Sequence, residues 1–314
     1  MKAVLQYRAS PGFRDRIEAT CPDWLDVVFI DEADKTAFAT EMTDADVLLH
    51  VLEAVTADAI AAAPALRLIQ KIGVGVNTID LDTAKSRNVA VCNMPGTNSR
   101  AVAEMTLTLM LAALRRVPYF DARMRAGDGW TVELNSFDEL GEIAGRTVGL
   151  IGYGDVARLL APVVKAMGAT VLYTATSEKP DADAEWRSLP ALLAEADIIS
   201  LHLPLTPDTE HMIDARAIAA MKPGSVLVNT ARGGLVDEAA LIDALKSGHL
   251  RAAGLDVVTV EPAPAGNPLF DLDNVVVIPH IAWITPETLD RSLGIAFENC
   301  LRLRDGEDLL HRVV

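Results

Sequence analysis

The stretch RTVGLIGYGDVARLLAPVVKAMG, Arg146 to Gly168, decides how the whole chain is read. A β-branched run, Thr147–Ile151, ends in Gly152-Tyr153-Gly154-Asp155-Val156-Ala157 and passes directly into a segment of helical period. Gly152 permits a tight turn, Gly154 lets the backbone come up against a pyrophosphate, and the small Ala157 lets the helix pack on the strand. N–H groups left unbonded at the helix start would face the anion. Glycine serves any strand-to-helix turn, so the flanking pattern must decide, and here strand and helix are both in place for a dinucleotide-binding turn. Two residues jar. Asp155 puts a carboxylate where an anion is expected, so it must point away or be offset by a neighbour such as Arg158; Pro162 falls inside the helix and should bend it.

Outward from this loop the chain repeats one theme. Strands are expected at Thr170–Thr174, Asp197–Leu201, Ser225–Asn229, Ala252–Leu255 and Val275–Ile278, with helices between them. Asp214 can cap a helix stopped at Gly224, and Asp237 one stopped at Gly248. Upstream, the runs Ala3–Leu5, Val27–Ile30, Val47–Val51, Leu68–Ile72 and Val89–Val91 alternate with helical segments in the same way. Such alternation predicts an α/β protein of two Rossmann-like, doubly wound parallel sheets. A helix from Asn98 or Ser99 to about Arg116 would join them, and a last helix runs from about Pro286 to Arg304. The expected domains are residues 1–98 with 286–314, flavodoxin-like and substrate-binding, and 99–285, dinucleotide-binding. Between Tyr119 and Gly145 lies a loop-rich arm holding Gly127, Gly129, Trp130 and Phe137, read as either a dimer arm or a surface loop.

Composition narrows the partners. The 314 residues are 50% hydrophobic and 23% charged, as in a globular protein, and the net charge of −16 leaves no basic field for nucleic acid or an anionic membrane. The most apolar run, Met105–Leu114, is too short to span a bilayer, which needs about 20 residues. The first residues carry no apolar signal core, so the cytoplasm is expected. Cys21, Cys92 and Cys300 lack CxxC spacing, and His50, His211, His249 and His311 lack metal spacing; reduced thiols and no metal are expected.

Three further segments fall at or just beyond the C-terminal ends of expected strands, where open parallel sheets bind ligands: VNTARGGLVDEAAL with Arg232, GLDVVTVEPAP with Glu261, and VVVIPHIAWITPET with His280. Histidine can deliver a proton near neutral pH, a carboxylate on its other ring nitrogen fixes the tautomer, and a guanidinium offers forked donors to a carboxylate or carbonyl. Together with ISLHLPLTPDTEHMID and KIGVGVNTIDL, these motifs resemble the D-isomer-specific 2-hydroxyacid dehydrogenase family over essentially the whole chain, closest in pattern to glyoxylate/hydroxypyruvate reductases. The resemblance implies hydride transfer between NAD(P)H and a small 2-keto acid in a cleft between domains, by a homodimer. It assigns His280 as general acid/base, Glu261 as its partner and Arg232 as substrate anchor. Val74 and Gly75 would offer backbone N–H groups to the substrate carboxylate. Trp283 would either line the pocket or fill the core, and Lys71 either faces the cleft or covers the surface. Asp256 would reach the nicotinamide carboxamide or form a turn. Leu203, Pro204 and Thr209 would shape the adenosine side, with His202 read as a structural histidine bonding backbone, and Thr230, Ala231, His280 and Ala282 would also touch the cofactor. Rival readings are a dehydrogenase of a larger or phosphorylated hydroxy acid, and a dinucleotide-sensing corepressor-like protein.

The choice of dinucleotide turns on LYTATSEKP, Leu172–Pro180. NAD-preferring members of the family place an aspartate there to bond the ribose; the matching position is Ala175, followed by Thr176, Ser177, Glu178 and Lys179. Without that acid a 2′-phosphate meets no like charge. The segment is similar to the YTxRxP of NADPH-using reductases, with Thr176 in place of the arginine. NADP(H) is therefore favoured, with NAD(H) still open because Glu178 can fold back.

Overall fold

The computed structural model describes residues 1–132 and 134–314 and divides into two units, residues 1–98 with 284–314 and residues 99–283. In the first unit, β1 (Lys2–Gln6), α1 (Pro11–Thr20), β2 (Asp26–Ile30), α2 (Lys35–Glu41), β3 (Val47–His50), α3 (Ala57–Ala61), β4 (Leu68–Lys71), α4 (Leu81–Ser86) and β5 (Ala90–Cys92) follow in turn. The five strands form a parallel sheet in the order β2-β1-β3-β4-β5, a flavodoxin-like doubly wound order. β3, β4 and β5 are buried along their whole length, so their apolar residues do not alternate with exposed ones, and the polar His50, Gln70 and Lys71 are buried with them.

The second unit opens with α5 (Ser99–Arg115) and α6 (Val117–Ala126). Then come β6 (Thr147–Ile151), α7 (Asp155–Ala166), β7 (Thr170–Thr174), β8 (Glu185–Trp186), α8 (Leu189–Glu195), β9 (Ile198–Leu201) and α9 (Ala215–Ala220). β10 (Ser225–Asn229), α10 (Glu238–Lys246), β11 (Leu250–Leu255) and β12 (Val275–Val277) complete it. The parallel sheet runs β12-β11-β10-β9-β6-β7-β8, so the strand order reverses beside β6 and opens a crevice at its C-terminal edge. One face packs on α5 and α7 through Leu109, Met110, Leu160 and Val164; the other is covered by α8, α9 and α10 through Leu192, Ile218 and Leu241. Asp214 and Asp237 cap α9 and α10 by accepting from the N–H groups of Ala217 and Ala240, at 2.7 and 3.1 Å, and Gly224 and Gly248 adopt positive φ after them.

After the second unit, α11 (Pro286–Asp305) belongs to the first. Asn299 on α11 donates to Gln70 on β4 at 2.6 Å, and Val313 donates to the Val91 carbonyl at 2.7 Å, so residues 311–314 cover the free edge of β5.

Three local features depart from the sequence expectation. The arm from Tyr119 includes most of α6: Arg116 takes φ 49° and breaks the preceding helix, Pro118 starts the next, and Gly127 ends it. None of its residues is buried, so it shows no apolar stripe to read. Residue 133 of the arm lies outside the described residues. β8 is two exposed residues with no pattern to detect. α7 runs unbroken through Pro162, which sits on its exposed side.

Candidate active site

The glycine loop closes β6 as expected. Gly152 has φ +92°, and a Cβ there would lie 2.3 Å from the carbonyl oxygen of His202, so the loop packs directly on the end of β9. Gly154 is the N-cap of α7, makes no side-chain cap bond, and a Cβ built on it meets nothing within 4 Å. Uncapped helix N–H groups beside open space at a glycine are what an approaching pyrophosphate needs. Ala157 is fully buried, allowing the close helix–strand contact. These residues fit a dinucleotide. Tyr153 accepts from the N–H of Asp183, and Val156 packs on the α5/α7 side of the core. Arg158 makes a two-pronged ion pair with Asp181, at 2.8 and 3.2 Å, and the Asp155 charge acts on it as well. Asp155 itself is exposed.

Beyond β7, Ala175, Thr176 and Ser177 form a loop clipped by Tyr173, whose hydroxyl accepts from the Lys179 N–H at 2.6 Å. Lys179 donates to Ser177 at 3.2 Å. Beyond β9, Leu203 and Pro204 lead into a turn in which Thr209 donates to the Pro204 carbonyl and accepts from the Thr206 N–H, both at 2.8 Å. The Nε2 of His202 is buried and has no partner among the described residues, so the expected backbone bond is not made there; burial pushes this imidazole down to about 4.

At the ends of β10, β11 and β12 the acid, base and guanidinium converge. His280 Nδ1 lies 2.6 Å from Glu261 Oε2, while Glu261 Oε1 accepts from the Val258 N–H at 3.1 Å. Burial works against the Glu261 charge, but the bond and charge of His280, the Val258 N–H and the Arg232 guanidinium outweigh it and hold the carboxyl below its usual range. An ionised carboxylate only accepts, so Nδ1 carries the proton of the shared bond and Nε2 is the atom left to give or take one. Burial lowers the Arg232 pKa, against the opposing charges of Glu261 and Asp256.

Asp256, at the end of β11, is almost fully buried. Its Oδ1 accepts from the N–H groups of Ile281 and Ala282 at 2.7 and 3.1 Å, and its carbonyl accepts from His280 N–H at 2.8 Å. This turn holds His280 at φ 53°, a left-handed conformation unusual for histidine. Burial raises the Asp256 pKa, against the pull of those two N–H groups and the His280 charge. Trp283, next in line, is buried, at 8% exposure.

The loop of Arg232 is braced by residues not singled out in the sequence. Asn229 donates to the Arg232 carbonyl at 2.8 Å and accepts from the Ala231 N–H at 3.0 Å. Thr106 on α5 donates to the Val102 carbonyl at 2.7 Å, so the 2.8 Å contact with Thr230 has Thr230 as donor. Their only sequence signal is polarity inside apolar runs.

In the first unit, Gly73 has φ +139° and Val74 and Gly75 form the expected loop, with Val74 43% exposed. Lys71 is 6% exposed, so it is no surface cover; its ammonium donates to the Val51 carbonyl and its stem passes close under Gly73. His50 bonds Thr78 at 2.8 Å, and burial together with the Lys71 charge lowers it to about 3. Among the described residues no cluster of His, Cys, Asp or Glu could hold a metal, and no helix is long and apolar enough to cross a membrane.

Comparison with known proteins agrees with this geometry. The profile described as "D-isomer specific 2-hydroxyacid dehydrogenase, NAD binding domain" matches residues 107–282. The chain is 44% identical over 280 residues to D-3-phosphoglycerate dehydrogenase of Mycobacterium leprae, covering 87% of this chain and 52% of that protein. It thus spans about half the length of those relatives. It is 39% identical over 272 residues to glyoxylate reductase of Aeropyrum pernix, covering 84% of this chain and 81% of that one. Among solved structures, TT0316 protein from Thermus thermophilus superposes with a TM-score of 0.89 at 36% identity over 100% of both chains.

Proposed function

The chain belongs to the D-isomer-specific 2-hydroxyacid dehydrogenase family, and on that premise we propose that it reduces a small 2-keto acid such as glyoxylate or hydroxypyruvate to the D-2-hydroxy acid. The single observation that carries the reading is the 2.6 Å bond between His280 Nδ1 and Glu261. It leaves Nε2 to pass its proton to the keto oxygen while Arg232 holds the substrate carboxylate. Residues Gly152–Ala157 would hold a dinucleotide, which would supply the hydride for the carbonyl carbon. Residues 99–283 would carry that cofactor and residues 1–98 with 284–314 the substrate, with Trp283 limiting substrate size. Asp256 serves the turn that presents His280, and Thr230, Ala231 and Ala282 would border the nicotinamide side.

NADPH is the preferred donor in this reading. The support is the absence of a carboxylate at Ala175 and the engagement of Asp181 by Arg158, which together lower the repulsion met by a 2′-phosphate. Parallel fluorescence titrations check it; much tighter binding of NADH than NADPH overturns it. A homodimer is favoured by the apolar exposure of the arm, with Trp130 at 90% and Leu134 at 82%. Light scattering showing a monomer would refute that assembly.

A second reading, oxidation of D-3-phosphoglycerate, is favoured by the 44% identity to the M. leprae protein. One assay separates the two. Purified chain with NADPH or NADH and glyoxylate, hydroxypyruvate and phosphohydroxypyruvate should consume the reduced nicotinamide fastest with an unphosphorylated acid. No consumption with any of them sinks the enzyme reading.

A further inference from the structure

We infer that Glu238, which the reaction does not use directly, is a positioning residue for the Glu261–His280 pair; the inference rests on the assignment of that pair to proton transfer. Glu238 opens α10, 23 residues before Glu261. Its two carboxylate oxygens tie together the two sides of the loop that carries Glu261. Oε2 accepts from the Thr259 N–H at 2.9 Å, two residues before Glu261, and Oε1 accepts from the Asn267 side-chain amide at 2.8 Å, six residues after it.

The polarity of this clamp is fixed. The Asn267 Oδ1 accepts from the Leu269 N–H at 2.9 Å, capping the short 3-10 turn Pro268–Asp271, so its amide cannot flip and must present N–H to Glu238. Thr259 also presents an N–H. Two donors converge, and only a group with two acceptor oxygens satisfies both. Glutamine has one acceptor and one donor, so a near-isosteric replacement breaks one side of the clamp.

The clamp reaches the pair through short covalent links. Thr259 follows Val258, whose N–H holds Glu261 Oε1 and thereby aims Oε2 at His280 Nδ1. Freeing Thr259 lets that segment turn, and a displacement of about 1 Å at such a contact costs up to roughly a hundredfold in rate. None of these residues belongs to the glycine loop at 152–157, so cofactor affinity should not change.

The test compares E238Q, N267D and E238Q/N267D with the unaltered chain and with H280A. In the double variant the donor and acceptor exchange places: the glutamine oxygen takes the Thr259 N–H, its amide donates to the new carboxylate, and that carboxylate still accepts from Leu269. E238Q should lower kcat with glyoxylate or hydroxypyruvate between about tenfold and about a hundredfold, shift the pH profile of kcat/KM, and leave the Kd of the dinucleotide unchanged. N267D alone, which sets two carboxylates together, should be worse. E238Q/N267D should recover most of the activity, including where E238Q alone folds poorly. Imidazole 15N spectra of the cofactor-free chain, with H280A identifying the signal, should show Nδ1 losing its bond in E238Q and regaining it in the double variant. An unshifted pH profile and an unchanged Nδ1 signal in a folded E238Q, or a double variant no better than its parents, overturns the inference. Full turnover in H280A instead overturns the assignment of the pair beneath it.

Discussion

Gly233 is where the loops of Arg232 and Glu261 meet, and replacing it is the sharpest test of the site. A Cβ at this position would lie 2.0 Å from the Val258 carbonyl oxygen, 2.1 Å from its carbon and 2.5 Å from the Thr259 nitrogen. All three are backbone atoms, so no side chain can swing aside. Real Cβ atoms do not come closer than 3.0 Å, so the two loops must part by about 1 Å. In stability, overpacking of this kind costs roughly 1–3 kcal/mol, and each kcal/mol lowers Tm by about 2–4 °C in a unit of this size. The larger effect is on rate: Arg232 on one side and Glu261 on the other move out of register, which predicts a loss of about a hundredfold in kcat. Gly234 is the internal control. Its added Cβ would meet only the side chain of Leu205, at 3.0 Å and beyond, which can yield. Steady-state kinetics of G233A and G234A, with Tm and dinucleotide Kd alongside, should therefore separate two adjacent glycines. Equal kinetics for G233A, G234A and the unaltered chain would refute the claim that these loops are positioned by their mutual contact.

H280A should lose roughly a hundredfold to ten-thousandfold in turnover, the usual worth of a general acid, with dinucleotide affinity largely intact; R232A should raise KM as well as lower kcat. Glu261 is held below its usual pKa, so its stabilising contribution is present above the ordinary carboxylate range and lost as pH falls through the lower folded value. The stability gap between the unaltered chain and E261Q, measured by denaturant titration, should accordingly close on acidification. Asp256 has the opposite sign: its raised pKa makes ionisation cost stability as pH rises. D256N, which keeps the Oδ1 acceptor, should gain on the unaltered chain from acid to neutral pH. Burial holds Cys92 up at about 11 and Cys300 at about 12, so mass spectrometry after native alkylation at neutral pH should find label on the half-buried Cys21 alone.

The sequence carries the fold clearly wherever burial imposes a pattern. Val47–Leu49 and Val226–Val228 are unbroken apolar runs because both sheet faces are covered, and Asp214 and Asp237 announce their helices because an uncapped N-terminus is costly. α6 was illegible for the converse reason: it buries nothing, so no stripe was selected. At the site, the identities of Arg232, Glu261 and His280 could be read from motifs, but Asn229, Thr106 and Glu238 could not. Their importance lies in hydrogen-bond direction, which depends on who else is donating nearby. Likewise the sequence offered Arg158 as one answer to the carboxylate three residues before it, but not its hydrogen-bonded pair with Asp181, 23 residues on, through the return of the β7 loop.

The tie between β4 and α11, through Gln70 and Asn299, also sets an order in time. On a ribosome, residues 1–98 emerge first, yet the helix that covers their sheet and the strand-like segment that closes its edge are made only after the entire intervening unit. At about 5–20 residues per second, the nascent first sheet waits on the order of ten to forty seconds with β5 unpaired on one side. The middle of the chain, contiguous from 99 to 283, is free to fold during that interval. Vectorial synthesis therefore builds residues 99–283 while the companion unit is still an unfinished, edge-exposed sheet, and a chain cut off before residue 284 would keep that open edge, a template for pairing with other chains.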